Sequence, residues 1–270
     1  MSLKNLALFA IVAALLATTV PAKAQFHSGF YTPRYGSYVG FDPIATARKK
    51  PFQRYAVGLT YAPFSGTVSF TTIDEFGITD SIKSMDIKGS GGGVLYAIIV
   101  PCARLGNRSL AAIHIGINGN YYSIKLDEIT IKRQSAFYDG SVTLSGGGAG
   151  FMFGFPVGVD LITGGEATLD RADRFSFTVG AGVFPLMGVA IVNQFAGVNF
   201  KAPPYVKAEV GFHFGINWKL RATYVTKSAL SFTENDESLF SDGSTVQTSL
   251  KSNDHFMLSL MIQPFSFGWE

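Results

Sequence analysis

Cysteine is nearly absent from this chain of 270 residues, which contains only Cys102. One cysteine cannot close an internal disulfide, so a small secreted fold held by disulfides is excluded. Charged residues are also scarce, at 15% of the chain. Beyond residue 24, no apolar run approaches the roughly 20 residues that a membrane-spanning helix needs. The mature protein must therefore be stabilised by its own packed elements or by apolar surroundings.

The first 24 residues carry a secretory signal pattern. Lys4 precedes an apolar run over residues 6–20, and Ala22-Lys23-Ala24 stands before Gln25. This order of charged, apolar and small residues predicts cleavage between Ala24 and Gln25. The mature chain then has 270 − 24 = 246 residues, with 22 − 2 = 20 basic and 19 acidic side chains. A net charge of +1 gives no indication of a nucleic-acid partner.

Glycine and aromatic residues are abundant, and they alternate with other residue types. The chain has 30 glycines, 24 phenylalanines and 11 tyrosines. Between residues 205 and 225, one alternating face is apolar, and the opposite face carries Lys207, Glu209, His213, Lys219 and Arg221. Alternation with a period of two predicts strands whose two faces meet different surroundings.

Eight segments are predicted to be strands, at residues 53–62, 92–101, 108–122, 142–155, 174–184, 205–215, 218–228 and 255–264. Residues 25–52 are predicted to form an irregular periplasmic leader, and residues 53–270 a single β domain. The predicted connections alternate between long (63–91, 123–141, 185–204 and 229–254) and short (102–107 and 216–217), with residues 156–173 in between. This alternation is typical of an up-and-down barrel that crosses a membrane, with brief turns on one side.

In these features the chain resembles the small outer-membrane β-barrels of Gram-negative bacteria, the OmpA/OmpX-like class, over residues 53–264. The resemblance implies an all-β fold, a closed antiparallel up-and-down transmembrane β-barrel of eight strands, located in the outer membrane. It further implies a structural or interaction role in the cell envelope without a cofactor. The expected partners are outer-membrane lipid and lipopolysaccharide, and other envelope proteins bound through long loops. The chain departs from the class at its end, where Glu270 follows the aromatic residues.

The polar stripes are predicted to fill the interior of this barrel. An eight-stranded barrel leaves room only for side chains, and buried charges must be paired. We expect an interior network of His114, Lys207, Glu209, His213, Lys219 and Arg221, in which Glu209 accepts hydrogen bonds from Lys219 or Arg221. This predicts a plugged barrel and not an open pore. Aromatic residues near strand ends suit belts at the two membrane surfaces: Tyr55, Tyr61, Tyr121, Tyr205, Trp218 and Tyr224.

Residues 185–204 are too apolar for a free surface loop. The segment is expected to form another hairpin of the wall, which would make ten strands, or to fold over the mouth as a plug, or to dock a partner. Its apolar side chains include Leu186, Val189, Ile191, Phe195 and Phe200.

Two other functions remain open from the sequence. A soluble exported β-barrel that binds an apolar ligand would carry the same stripes with the faces reversed. An outer-membrane lipid hydrolase or acyltransferase would need a triad such as Ser109, His114 and Glu209. Because the sequence has no G-x-S-x-G motif, catalysis is not expected. His114 and His213 without a third ligand make a weak metal site.

Overall fold

Alternating side chains place nearly all of the described chain in antiparallel β-strands. The computed structural model describes residues 54–73, 79–105, 108–134, 139–168, 174–192, 195–214, 216–226, 231–236 and 245–265. The predicted signal, its cleavage site at Ala24 and Gln25, and the leader lie outside these residues. The described elements are β1 (Tyr55–Ile73), β2 (Thr79–Arg104), β3 (Ser109–Gln134), β4 (Asp139–Gly154), β5 (Val157–Gly164), α1 (Gly165–Thr168), β6 (Phe175–Val183), β7 (Leu186–Val192), β8 (Phe195–Lys201), β9 (Pro204–Phe214), β10 (Ile216–Val225), β11 (Ser231–Asp236), β12 (Thr245–Ser252) and β13 (His255–Gln263).

Eight of these strands pair in a ring. The order is β1, β2, β3, β5, β6, β9, β10 and β13, and β13 pairs again with β1, where Val57 lies opposite Ile262. Every pairing in the ring is antiparallel. Because each strand of the ring has a neighbour on both sides, the ring has no free sheet edge. We call this part of the sheet the near ring.

The other five strands continue strands of the ring. For example, β4 and β5 both run antiparallel to β3, and only Phe155 and Pro156 separate them. Pro185 similarly separates β6 from β7, and Pro203 separates β8 from β9. Proline lacks a backbone N–H, so it interrupts a strand ladder. The interruptions lie side by side, because Phe155 N donates to Pro185 O and Phe184 N donates to Pro203 O.

We call the strands beyond these interruptions the far extension. It contains β4, β7, β8, β11 and β12, together with the distal halves of β1, β2 and β3. The segments that the sequence analysis predicted to be long loops therefore belong largely to strands. Of the three alternatives for residues 185–204, a further hairpin of the wall is the one found, but β7 and β8 continue β6 and β9, so this hairpin does not widen the ring to ten strands. Ile216 and Asn217, predicted to form a turn, are already paired with β9.

On β1 and β3, the two faces of the sheet exchange polarity between the near ring and the far extension. On β1, the outward side chains of Leu59 and Tyr61 are 70% and 57% exposed. Further along β1 the outward position is Ser65, and the inward side chains of Phe64 and Val68 are buried. This inversion explains why the distal halves of β1 and β3 were predicted to be loops. The apolar stripe on the outer face ends there, although the strands continue.

The apolar core lies inside the far extension. Its buried members include Phe64, Phe70, Ile124, Met152 and Leu250. The inside of the near ring is mixed by contrast. Asn118, Thr178, Lys219 and Ser259 are buried there, together with two smaller apolar clusters, one that includes Leu110 and Ile162 and one that includes Leu95 and Met261. Within the described part of the chain, no helix has the length and apolarity to cross a membrane.

Candidate functional site

Four charged side chains of β9 and β10 meet inside the near ring. Lys207 and Glu209 lie two residues apart on β9, and Lys219 and Arg221 lie two residues apart on β10. The strand register places Arg221 directly opposite Glu209. All four residues are at most 2% exposed. Burying an ion costs on the order of several kcal/mol of lost hydration. Such a cluster therefore requires close partners of opposite charge.

Glu209 is the common partner of three cations. Its Oε1 lies 2.6 Å from Lys207 Nζ and 2.8 Å from Arg221 Nε. Its Oε2 lies 2.5 Å from Lys219 Nζ. One carboxylate thus joins two neighbouring strands, but it neutralises only one of the three positive charges.

Two carboxylates from a different part of the chain complete the charge balance. Asp160 of β5 places Oδ2 2.7 Å from Lys207 Nζ. Glu166 of α1 places Oε2 2.8 Å from Lys219 Nζ. Both residues are at most 1% exposed. Three carboxylates therefore face three cations, and the cluster, which we call the ionic network, is electrically neutral.

Asp160 and Glu166 were not predicted as interior residues, because residues 156–173 were assigned to a connection. Two signals were available. Val157 and Val159 alternate with Asp160, which is the pattern of a strand with one apolar face. The predicted interior set also held three cations and one carboxylate, an imbalance that a buried cluster cannot tolerate.

Gly180 allows Asp160 and Lys207 to meet. Strand β6 lies between β5 and β9, and its register places Gly180 opposite both residues. A Cβ atom at position 180 would overlap the Asp160 carboxylate and lie 2.9 Å from Lys207 Cε. The ion pair therefore crosses β6 over a residue that has no side chain.

Side chains also close the near end of the ring. The guanidinium of Arg54 donates hydrogen bonds to the backbone carbonyls of Glu166 and Ala167. These hydrogen bonds hold α1 inside the ring. Gln263 Nε2 donates to Glu166 Oε1 over 2.8 Å, and Asn217 Nδ2 donates to Gln263 Oε1 over 2.6 Å. Arg54, Asn217 and Gln263 are all buried. The near end is thus filled by hydrogen-bonded groups.

The two predicted interior histidines have different surroundings. His114 is 1% exposed, and its Nδ1 lies 3.2 Å from the hydroxyl of Tyr205. His213 is half-buried toward the near end of β9, where its backbone amide donates to the carbonyl of Arg174. The placement of Tyr205 in an outer aromatic belt was wrong. Its position in β9 has the same parity as Lys207 and Glu209, so its side chain points inward.

The interior beside the ionic network is packed. A cavity of about 10 Å³ lies among His114, Tyr205, Lys207 and Arg221. This volume holds about one water molecule. Farther along, the Tyr122 hydroxyl lies 2.7 Å from His255 Nε2, and both residues are buried. Hydrogen-bonded pairs of polar side chains therefore occur at several levels of the ring up to the apolar core of the far extension.

The residues considered for catalysis do not come together. Ser109 and His114 are five residues apart on β3 and point to opposite faces of the sheet. His114 faces Tyr205 in the interior, whereas Ser109 lies on the outward face. Among the residues that the structure describes, no cluster of three or more His, Cys, Asp or Glu is arranged to hold a metal ion.

The apolar segment 185–204 forms part of the wall. Leu186 is buried in the apolar core, and Phe195 begins β8. Val189 points outward, and Ile191 and Phe200 are 52% and 74% exposed on the same outer surface. The side chains of Leu186, Val189, Ile191 and Phe200 line both faces of a strand pair and do not form a plug over the mouth.

No protein-family model matches this sequence, and no curated protein sequence matches it. Among solved structures, the fold is similar to the outer membrane protein OprG of Pseudomonas aeruginosa, with 9% identity, a TM-score of 0.43, and coverage of 77% of this chain and 94% of OprG. It is similar to the outer membrane protease OmpT of Escherichia coli, with 9% identity, a TM-score of 0.37, and coverage of 77% and 95%. Neisserial surface protein A (NspA) is similar with 10% identity, a TM-score of 0.27, and coverage of 75% and 95%. Similarities this distant assign neither a family nor a function.

Proposed function

We propose that this protein is an integral outer-membrane β-barrel, closed by eight strands, whose near ring spans the bilayer and whose ionic network seals the lumen. The observation that carries the proposal is the sidedness of the near ring. Leu59 and Phe214 are 70% and 83% exposed on its outer surface, whereas Glu209 and Lys219 are at most 1% exposed inside. A soluble barrel requires the opposite arrangement.

Hydrocarbon surroundings account for this arrangement. In a bilayer, every backbone N–H and C=O must find a partner within the protein, and a ring of paired strands meets that condition. The outer surface of the near ring offers lipid a band of large apolar side chains, including Ile115, Val159, Phe175, Val210 and Leu260. Turning a basic side chain outward at mid-bilayer costs about 2–4 kcal/mol. The inward register of the charged residues is therefore strongly favoured.

A filled lumen favours a structural or interaction role over transport. The ionic network and the groups around α1 occupy the cross-section of the ring that a pore would need. On β2, β3 and β12 the far extension instead presents a polar outer surface beyond the membrane. Its exposed charged side chains are candidates for contact with lipopolysaccharide phosphates or other envelope proteins: Lys83, Asp86, Lys88, Lys125, Glu128 and Lys251.

Cell fractionation and gel migration test the membrane assignment. We expect the native protein to stay with the outer membrane until detergent is added. We also expect the folded protein to migrate differently from the boiled protein, because the closed barrel resists detergent until it is heated. Recovery in the soluble periplasmic fraction would contradict the proposal and favour a soluble ligand-binding barrel.

Conductance measurements test the sealed lumen separately. Purified protein reconstituted in a planar lipid bilayer should give no large, stable single-channel currents. Heat-denatured protein at the same concentration serves as the control for leakage caused by aggregates. Stable channels from the folded protein alone would show that the network opens, and they would refute the structural role while leaving the membrane assignment intact.

A further inference from the structure

One side of the far extension is apolar on its outer surface. The outward side chains of β7 and β8 are all apolar: Met187, Val189, Ile191, Ala196, Val198 and Phe200. The register aligns Val189 with Val198 on one side and with Phe151 of β4 on the other. We call the outer surface formed by Phe151, Val189, Ile191, Val198 and Phe200 the hairpin face. Phe200 and Val198 are 74% and 57% exposed.

Strands β2 and β3 present a different surface in the far extension. Beyond Tyr121, the outward positions of β3 are Ser123 and Lys125, and both are exposed. The outward positions of β2 on this side include Lys88, which is also exposed. The polar surface therefore begins soon after the near ring on β1, β2 and β3, but it does not begin on β7 and β8.

The hairpin face is continuous with the apolar band of the near ring. Along β5 and β4, successive outward side chains are Val159, Val157, Phe155, Phe153 and Phe151. Four of these five are at least 40% exposed, and Phe153 is half-buried against the ring of Phe155. No polar outward side chain interrupts this column.

Lipid and a second copy of the chain are two candidates to cover the hairpin face, and the area of the face favours lipid. Phe151, Ile191, Val198 and Phe200 together expose on the order of 400 Å², given that a whole aromatic side chain offers 150–250 Å². A stable protein interface buries about 800 Å² on each partner. The face is therefore small for a dimer, whereas lipid contact has no minimum area and needs only continuity with the band below.

We infer that the hairpin face contacts the acyl chains of the bilayer, so that lipid contact reaches further along the barrel here than on β1, β2 and β3. This inference rests on the proposed membrane location. A barrel whose axis leans toward β7 and β8 brings the hairpin face into the hydrocarbon and lifts the polar side of β2 and β3 into water.

Quenching by brominated lipids tests this inference at three single positions. In a Cys102→Ser background, Val198→Cys reports on the hairpin face, Leu258→Cys on the near ring, and Ser123→Cys on the polar side of the far extension. All three positions point outward, so a small fluorophore there leaves the interior undisturbed. Each labelled variant is refolded into phosphatidylcholine vesicles brominated at mid-chain, and heat-dependent gel migration verifies the fold. Iodide in the buffer serves as the water-borne quencher.

We expect brominated lipid to reduce the fluorescence at positions 198 and 258 by similar factors. At position 123 we expect loss of fluorescence with iodide only. If brominated lipid quenches the label at position 258 but only iodide quenches the label at position 198, the inference is wrong. The proposed membrane location would still hold in that case. Protection of position 198 from both quenchers would also overturn it, since a protein partner would then cover the face. Failure of lipid to quench at position 258 would remove the proposed function itself.

Discussion

Replacing Glu209 by glutamine removes the carboxylate that contacts three buried cations. Lys207 keeps Asp160 as a partner and Lys219 keeps Glu166. Among the described residues, Arg221 makes its ion pair with Glu209 alone. Glu209→Gln therefore leaves Arg221 as an uncompensated buried charge. Breaking a buried pair in this way costs about 3–5 kcal/mol, so we expect the free energy of unfolding to fall by about that amount.

Urea unfolding in phospholipid vesicles measures this loss, with tryptophan fluorescence and heat-dependent gel migration as independent readouts. Glu128→Gln is the matched control, because Glu128 is exposed on β3. This control should change stability by less than about 0.5 kcal/mol. The double variant Glu209→Gln with Arg221→Met restores charge balance, so it should be more stable than Glu209→Gln alone.

Two results would refute the reasoning. A loss below about 1 kcal/mol for Glu209→Gln would match an exposed pair, and it would mean that water screens the ionic network. Equal losses in the single and double variants would mean that the orphaned charge of Arg221 is not the cause. In either case the lumen would be hydrated, and the proposal of a sealed barrel would lose its energetic basis.

Three further predictions concern the ring and its orientation. Gly180→Ala should destabilise the fold strongly in the same urea titration, because the added methyl group would overlap the Asp160 carboxylate. Gly119→Ala is the control and should be tolerated, because a Cβ atom there would have its nearest neighbour at 3.8 Å. Leu260→Arg, at a position that is 50% exposed on the outer surface of the near ring, should cost about 2–4 kcal/mol in vesicles. The same substitution at Ser123, on the polar side of the far extension, should cost little, and equal costs would argue against a bilayer around the near ring. Because the far extension is proposed to contact lipopolysaccharide outside the cell, the near end, with the exposed thiol of Cys102, is expected in the periplasm. A membrane-impermeant maleimide should therefore label Cys102 only after the outer membrane of intact cells is permeabilised. Labelling of untreated cells would reverse the proposed orientation.

Only part of the ionic network could be predicted from local patterns in the sequence. The alternation around Lys207, Glu209, Lys219 and Arg221 is visible in the sequence because these residues lie within 15 positions of one another on two successive strands that pair. Asp160 lies 47 residues before Lys207 along the chain, and no local pattern connects the two positions. Their contact exists because β6 pairs with β5 on one side and with β9 on the other, and places Gly180 between Asp160 and Lys207.

The far extension was missed for a different reason. Its strands keep the period of two, but the apolar side chains change from the outer to the inner face beyond Tyr61 on β1 and beyond Tyr121 on β3. When a strand is identified only by its row of apolar side chains on the outer face, this change resembles the start of a loop. The strands continue because their backbone groups still pair with neighbours, whichever face the apolar side chains occupy.

By itself, the sequence determined the strand period, the segregation of apolar and charged faces, and the segments around which a β fold is built. Those properties depend on residues two positions apart, so they can be read locally. Only the tertiary structure decided that β1 pairs with β13, that Asp160 and Glu166 balance the buried cations, and that residues 186–201 lengthen the wall. These outcomes depend on which distant strands become neighbours, and the closure of the ring settles that for all strands together.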